Sequence, residues 1–467
     1  MGRAVRAEGA DPEVRAADAP REASISALSE RIVTVDTVET PSPDDRLTVT
    51  GAPSGDASED PATALLALPW STALEDWPED VLAALPRGIS RHVVRFARVG
   101  GGVVAVKETT EDLAFREYRL LRRLEGGPAP SVVPVAVVTG RTDGRGEPLP
   151  AALVTRHLHF SLPYRAVFSE RLERRTLVRL MDALATLLVE LHLEGFFWGD
   201  VSLSNVLFRR DAGGFAAHLV DAETGELRER LSAGQREHDL DVAAVNVGGE
   251  LLDLQASGLL DPDVDPAATP ELFVDAYRRL WDELTEPLLF PRAEPWRLDR
   301  RVRRLQELGF ELAEYSLRAA DAPGMMLAAP VEVHAGYHRR RLTRLTGLQV
   351  QENQARRLLV DIEAARRSWD PFLDMEGAAH RWVVEVFDPV VRSVPLELRA
   401  KLEPAEVMHQ LLEHRWYLSE ARGQAVPLQE AVDSYVDTVL RARRDEDAVA
   451  LHPTTTMLRT VPPADEA

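Results

Sequence analysis

Cysteine is absent from all 467 residues, which excludes disulfides, cysteine-ligated zinc, iron–sulfur clusters and thiol nucleophiles. An excess of positive charge is also missing: 76 acidic against 55 basic residues give a formal charge of −21. Such a chain lacks the electrostatic footprint for phosphate backbones or anionic lipid, so no nucleic-acid partner is expected. No apolar run approaches the roughly 20 residues of a membrane span. The start, Met-Gly-Arg-Ala-Val-Arg, has no hydrophobic leader, and Arg6 stands where myristoylation needs Ser or Thr. These exclusions together lead to the expectation of a cytoplasmic protein. Lysine is nearly absent too. Only Lys107 and Lys401 are lysine, so a compact ammonium survives where the chain otherwise writes positive charge as guanidinium.

At 45% hydrophobic residues, a chain of this length can bury a sizeable core, divided over two or three domains. Residues 1–60 hold 13 acids, 6 arginines and no aromatic. Such a segment cannot bury enough surface to offset its ordering entropy, so it is expected to be a disordered acidic tail, with room for a short strand or helix near Arg31–Val38, that can be removed without loss of stability. Two β-rich runs, 92–99 and 103–107, flank Gly100-Gly101-Gly102 as a hairpin, and a helix capped by Thr109 or Thr110 follows. From Leu172 the pattern turns helical, with Leu177, Met181, Leu184, Leu188 and Leu191 on one face until Gly195. A second hairpin turns at Asp211-Ala-Gly-Gly, and helices are expected at 239–254 and 272–289. The Ala-, Pro- and Met-rich stretch 319–330 reads as a boundary. The expected order is a β-rich lobe over 61–157, a helical lobe over 158–320, a helical domain over 331–445 and a loose tail over 446–467. Trp416-Tyr417-Leu418 is read as core of that last domain.

The residues that can carry chemistry sit in the connections. Gly199-Asp200-Val201-Ser202-Leu203-Ser204-Asn205 lies between the long helix and the second hairpin, whose second strand ends at Asp221. An Asp, an Asn five residues on and a further Asp after a hairpin form a phosphoryl-transfer layout. The first Asp accepts or orients a substrate hydroxyl, while the Asn and the second Asp hold magnesium on nucleotide phosphates. An Asx turn and a strand cap are the alternative for the same residues. Upstream, Lys107 ends a strand, and Leu113, Glu117, Leu120, Leu121 and Leu124 share a face of the next helix. A carboxylate in an apolar stripe is costly unless paired. Lys107 is the candidate partner, with a neighbouring surface arginine as the alternative.

Val-Ala-Val-Lys107, Phe-Arg-Glu117-Tyr-Arg-Leu-Leu, Gly-Asp200-Val-Ser-Leu-Ser-Asn205 and Leu-Val-Asp221 together resemble the protein-kinase-like superfamily over about residues 85–295. The likeness is to bacterial lipopolysaccharide kinases of the Kdo-kinase type and to Rio-type atypical kinases. It implies an α+β bilobal protein-kinase-like fold, a small β-rich lobe and a helical lobe, here followed by a mostly α-helical domain of unknown function. It also implies an ATP- and Mg2+-dependent phosphotransferase with an alcohol acceptor. Asp200 would be the catalytic base, Lys107 would hold phosphates and be held by Glu117, and Asn205 and Asp221 would ligate magnesium. Gly88 and Ser90 would form the phosphate-facing loop in place of a glycine-rich one. Ser202, also expected near the nucleotide, stands where many kinases carry a catalytic-loop lysine. Trp198 replaces the usual His two residues before Asp200, and Asp221-Ala-Glu replaces Asp-Phe-Gly.

Gly199 occupies the place of the arginine that reads activation-segment phosphorylation in peptide-directed kinases, and the segment after Asp221 is short and acidic. Activity is therefore expected without phosphorylation there. The acceptor is expected to be a small molecule, a glycan or a folded protein, with the C-terminal domain as the place for a protein partner. A pseudokinase, binding nucleotide or partner without catalysis, is the alternative function. His334 with His338, and His409 with Glu413, lack a completing third ligand and are not read as metal sites.

Overall fold

The computed structural model describes residues 31–36, 46–51, 64–83, 92–169, 171–320, 324–370 and 372–446. Strands β1 (Arg31–Asp36), β2 (Arg46–Gly51), β3 (Val94–Val99), β4 (Gly102–Thr109), β5 (Pro134–Thr139) and β6 (Ala151–Arg156) form one sheet in the order β1-β2-β5-β6-β4-β3. Every pairing in it is antiparallel. The expectation of a disordered tail over 1–60 therefore fails at β2, while β1 falls where that expectation leaves room for a short strand. Lack of aromatics was a poor guide, because a strand needs only alternating apolar residues and a neighbour. Leu47 and Val49 supply the alternation, and both are buried where β2 pairs with β5.

Strand β4 carries different chemistry on its two faces, as a period of two requires. Val104 and Val106 pack with Trp70, Leu74 and Trp77 of the segment that covers the sheet's outer face. Glu108, on that same face, accepts hydrogen bonds from Arg141 Nη1 at 2.7 Å and from the Leu74 N–H at 3.1 Å. Arg141 also donates to the carbonyls of Trp70, Thr72 and Pro150, so its buried guanidinium fastens the cover to the sheet. On the inner face lies helix α1 (Glu111–Leu124), capped by Thr110 Oγ1, which accepts from the Leu113 N–H. Its buried stripe is Ala114, Glu117, Tyr118, Leu121 and Leu124. Leu113 and Leu120, expected on that stripe, are only half-buried.

The next lobe comprises β7 (Leu162–Pro163), α2 (Tyr164–Phe168), α3 (Arg174–Leu193), β8 (Phe196–Phe197), β9 (Val206–Asp211), β10 (Gly214–Leu219), β11 (Glu226–Leu227), α4 (Ala233–Ala256) and α5 (Thr269–Thr285). Helix α3 is buried along Leu177, Met181, Leu184, Leu188 and Leu191, the face its periodicity predicts. The hairpin β9–β10 turns through Ala212 and Gly213, both at positive φ.

Of the stretch 319–330, read as a boundary, Ala319 and residues 325–330 instead belong to a three-stranded sheet. Strand β12 (Leu288–Pro291) and, after α6 (Trp296–Glu307), β13 (Phe310–Ala319) pair on either side of β14 (Met325–Ala335). Pro330 is tolerated in this central strand because β12 pairs only with residues 325–328, leaving no ladder bond for its missing N–H to break on that side. Leu305, Phe310 and Ala335 join the core of the helical lobe, so this sheet extends that lobe.

Helices α7 (Tyr337–Thr346), α8 (Glu352–Trp369), α9 (Met375–Trp382), α10 (Asp388–Ser393), α11 (Pro404–Arg422) and α12 (Leu428–Tyr435) surround a separate core of Leu358, Ile362, Trp382, Met408, Leu411 and Tyr435. Trp416 and Tyr417 do not belong to it: they are 56% and 63% exposed. They fall five and six residues beyond buried Leu411, on the outer face of α11, and only Leu418 turns inward. Among the described residues, no helix is long and apolar enough to cross a membrane.

Candidate active site

Lys107 Nζ lies 3.0 Å from Glu117 Oε2, 2.9 Å from Asp221 Oδ2 and 3.0 Å from Glu223 Oε2. Strand β4 aims the ammonium inward, and the buried stripe of α1 brings Glu117 to meet it. Glu117 also accepts from the Ala222 N–H at 3.3 Å, which fixes the chain just after Asp221. Burial works against the Lys107 charge, but the charges and hydrogen bonds of Glu117 and Asp221 outweigh it and hold its pKa above the ordinary lysine value. Burial, followed by the Asp221 charge, pushes the Glu117 carboxyl up to about 7 despite the pull of Lys107. Glu223, which sequence reasoning passed over, bridges Lys107 to His92 Nε2 at 2.9 Å.

Asp200 and Asn205 line the same cavity as Lys107 and Asp221, a cleft of about 2170 Å³. Two amides orient the Asp200 carboxylate: Asn246 Nδ2 donates to Oδ1 at 3.0 Å and Asn205 Nδ2 to Oδ2 at 3.3 Å. Asn205 also donates to the Asp200 carbonyl at 3.0 Å, so its amide oxygen is the atom left to meet a cation. Ser202 is buried, and its hydroxyl accepts from the Asn205 N–H at 3.3 Å, bracing the loop from within. Phe96, Ala105, Leu153, Leu207 and Val220 give the cleft an apolar wall. Gly88 and Ser90 lie outside the described residues.

The loop's anchorage comes from one face of α4. Buried Asp239 accepts from the N–H groups of Trp198 at 2.9 Å and Gly199 at 2.8 Å, and lies 3.0 Å from His192 Nε2. Glu250 accepts from the N–H groups of Leu203 at 2.7 Å and Ser204 at 2.8 Å. Asp239, Asn246 and Glu250 stand at offsets of seven and eleven residues, one helical face. Sequence reasoning missed these three as functional positions, although polar residues at that spacing among buried Leu240, Ala243 and Val247 were the available signal. Trp198 packs fully buried in the lobe core, so it anchors the loop by apolar contact. Helix α4 starts at Ala233, earlier than the expected 239, because Ser232 and Gln235 form a capping box. Of the two hydroxyls between Asp221 and Asp239, Ser232 serves as that cap and Thr224 donates to the Trp198 carbonyl at 2.8 Å.

Residues 104–244, which contain Lys107, Glu117, Asp200, Ser202, Asn205 and Asp221, match the lipopolysaccharide kinase (Kdo/WaaP) family. This part of the chain is kinase-like. Residues 279–440 match DUF4032, a domain of unknown function, beginning inside α5 and ending just beyond α12. Among solved structures the chain is similar to WaaP in complex with acyl carrier protein, at 20% identity and a TM-score of 0.31, over 49% of this chain and 90% of that one. No curated protein matches the chain.

Proposed function

We propose that this protein is an ATP- and Mg2+-dependent phosphotransferase that moves the γ-phosphoryl group to an alcohol. The observation that carries this reading is the Lys107 cluster, an ammonium braced by Glu117 and Asp221 in the cavity that Asp200 and Asn205 line. In this reading the apolar wall receives the nucleotide base. Lys107 exchanges its Asp221 and Glu223 contacts for phosphate oxygens, while Glu117 keeps it in place.

The oxygen donors of Asn205 and Asp221 fit a hard cation and would hold magnesium. Bound there, magnesium would neutralise negative charge on the phosphate oxygens. Asp200, its carboxylate fixed by two amides, orients the acceptor hydroxyl and takes its proton as the new oxygen–phosphorus bond forms and the bond to the nucleoside diphosphate breaks. The acceptor is a small molecule, a glycan or a folded protein. Turnover needs no phosphorylation of Thr224 or Ser232, whose hydroxyls already have structural work.

Labelled ATP supplied with candidate alcohols tests the reading. Wild-type protein transfers label, and Asp200→Asn lowers transfer by about 100-fold or more while nucleotide binding persists. Equal transfer by both proteins would remove Asp200 from the mechanism. Nucleotide binding without transfer to any alcohol would favour a pseudokinase.

A further inference from the structure

The hairpin β9–β10 joins the two proposed magnesium-holding residues. Asn205 directly precedes β9, Asp221 follows β10 by two residues, and the Val220 N–H donates to the Asn205 carbonyl at 3.0 Å. Six residues away, about 20 Å along an extended strand, the far end of the hairpin is gripped by the C-terminal domain. The Asp211 carboxylate accepts from the Gln354 N–H at 2.7 Å, the Asn353 N–H at 3.1 Å and Asn353 Nδ2 at 2.8 Å, all at the first turn of α8. Gln354 Nε2 donates back to the Arg210 carbonyl at 3.0 Å, and the Ala212 N–H donates to Glu406 of α11 at 3.0 Å. Arg209 pairs with Glu403 and Arg210 with Glu446. Asp211 and Gln354 are almost completely buried, at 2% and 0% exposure, so these contacts are a built joint and not a surface touch. The same end of the chain reaches the cleft: Arg443 and Glu446 line the cavity that holds Lys107 and Asp200.

We infer that the C-terminal helical domain sets the spacing of Asn205 and Asp221 through this hairpin, with Asp211 as the positioning residue. The inference rests on the proposed phosphotransferase reading. A carboxylate that caps a buried helix start has little freedom, since moving it strands three donors without an acceptor. A displacement of the hairpin tip must then be taken up at its open end, where the two cation-holding side chains emerge.

Asp211→Asn keeps the size of the side chain but places an amide N–H against backbone donors. The test measures nucleotide binding across a Mg2+ titration, and amide hydrogen exchange at Val220 in the protein alone. The expected result is a Mg2+ half-saturation raised about tenfold, equivalent to one charged hydrogen bond. Binding of ATP without Mg2+ stays within about twofold of wild type, and exchange at Val220 accelerates. Asn353→Ala, which removes one side-chain donor, shifts Mg2+ half-saturation in the same direction by about two- to threefold and covers the case in which Asp211→Asn does not fold. Trp382→Phe, in the C-terminal core away from the hairpin, controls for general loosening and leaves the Mg2+ titration in place. Unchanged Mg2+ half-saturation and Val220 exchange in folded Asp211→Asn or Asn353→Ala, with Asn205→Ala still impaired, would overturn the inference and leave the functional reading standing. If wild type shows no Mg2+-dependent nucleotide binding, the reading fails and the inference with it.

Discussion

Lys107 and Glu108 are consecutive on β4 yet serve opposite purposes. Glu108 faces outward into a closed ion pair with Arg141, whose three nitrogens each donate to fixed protein acceptors. Lys107 faces inward onto three carboxylates, more negative charge than one ammonium can balance. A pair that is matched and enclosed holds structure together. In the proposed reading, a cluster left acidic in an open cleft receives further cations and trades contacts. The comparison teaches that burial of charge alone does not mark a functional site; an uncompensated excess beside a cavity does.

The largest effect that would sharpen this contrast is on the structural side. Arg141→Ala leaves Glu108 buried without its partner and is expected to cost about 3–5 kcal/mol in chemical denaturation. A loss under 1 kcal/mol would show that the outer pair is as exchangeable as the inner one. Deleting residues 1–60 comes next. It removes β2 and exposes the sheet edge where Leu47 and Val49 were buried, so about 3 kcal/mol should be lost, contrary to what composition alone suggests. An unchanged melting temperature would show that β2 contributes nothing.

A smaller effect belongs to the inner face. Lys107→Arg keeps the charge but not the compact ammonium, and is expected to weaken nucleotide binding about tenfold with stability nearly unaltered. Wild-type affinity in the Arg variant would make the surviving lysine a coincidence. The smallest effect concerns a third buried carboxylate, Glu190 on α3, which burial pushes up to about 8 from an ordinary 4.5. The folded protein therefore holds a proton that the unfolded chain has released, and stability contributed by this group falls as pH rises from about 4.5 through 8. Glu190→Gln should flatten that slope, improving its melting temperature relative to wild type by about 2 °C or more between pH 5 and pH 8.5. A gap that stays constant with pH would rule the group out.

Much of the inner face was legible in the sequence. Lysine is so rare in this chain that Lys107 stood out, and a charge in the apolar stripe of α1 announced Glu117. Spacing linked Asp200, Asn205 and Asp221 only once Lys107 and Glu117 stood upstream in the same order, because the spacing by itself fits an ordinary Asx turn equally well. The supporting residues were harder to see, because Asp239 and Glu250 act on backbone N–H groups of the Trp198–Ser204 stretch, and a backbone donor leaves no trace in residue identity. Glu223 was hidden by its place in a run of acidic residues. The β2 strand and the 325–335 strand were misread for a common reason. Each depends on pairing with another strand, the remote 134–139 for the first and the adjacent 310–319 for the second, and composition within a strand carries no record of its pairing partner.

The central claim, that the acidic excess around Lys107 is a nucleotide–magnesium site, is tested most directly by calorimetric titration of ATP into the full-length protein with and without Mg2+. The account predicts measurable heat that strengthens at least tenfold in affinity when Mg2+ is present, and disappears with Mg2+ in Asp221→Asn. Absence of ATP binding under both conditions, or binding indifferent to Mg2+ and to Asp221, would contradict it.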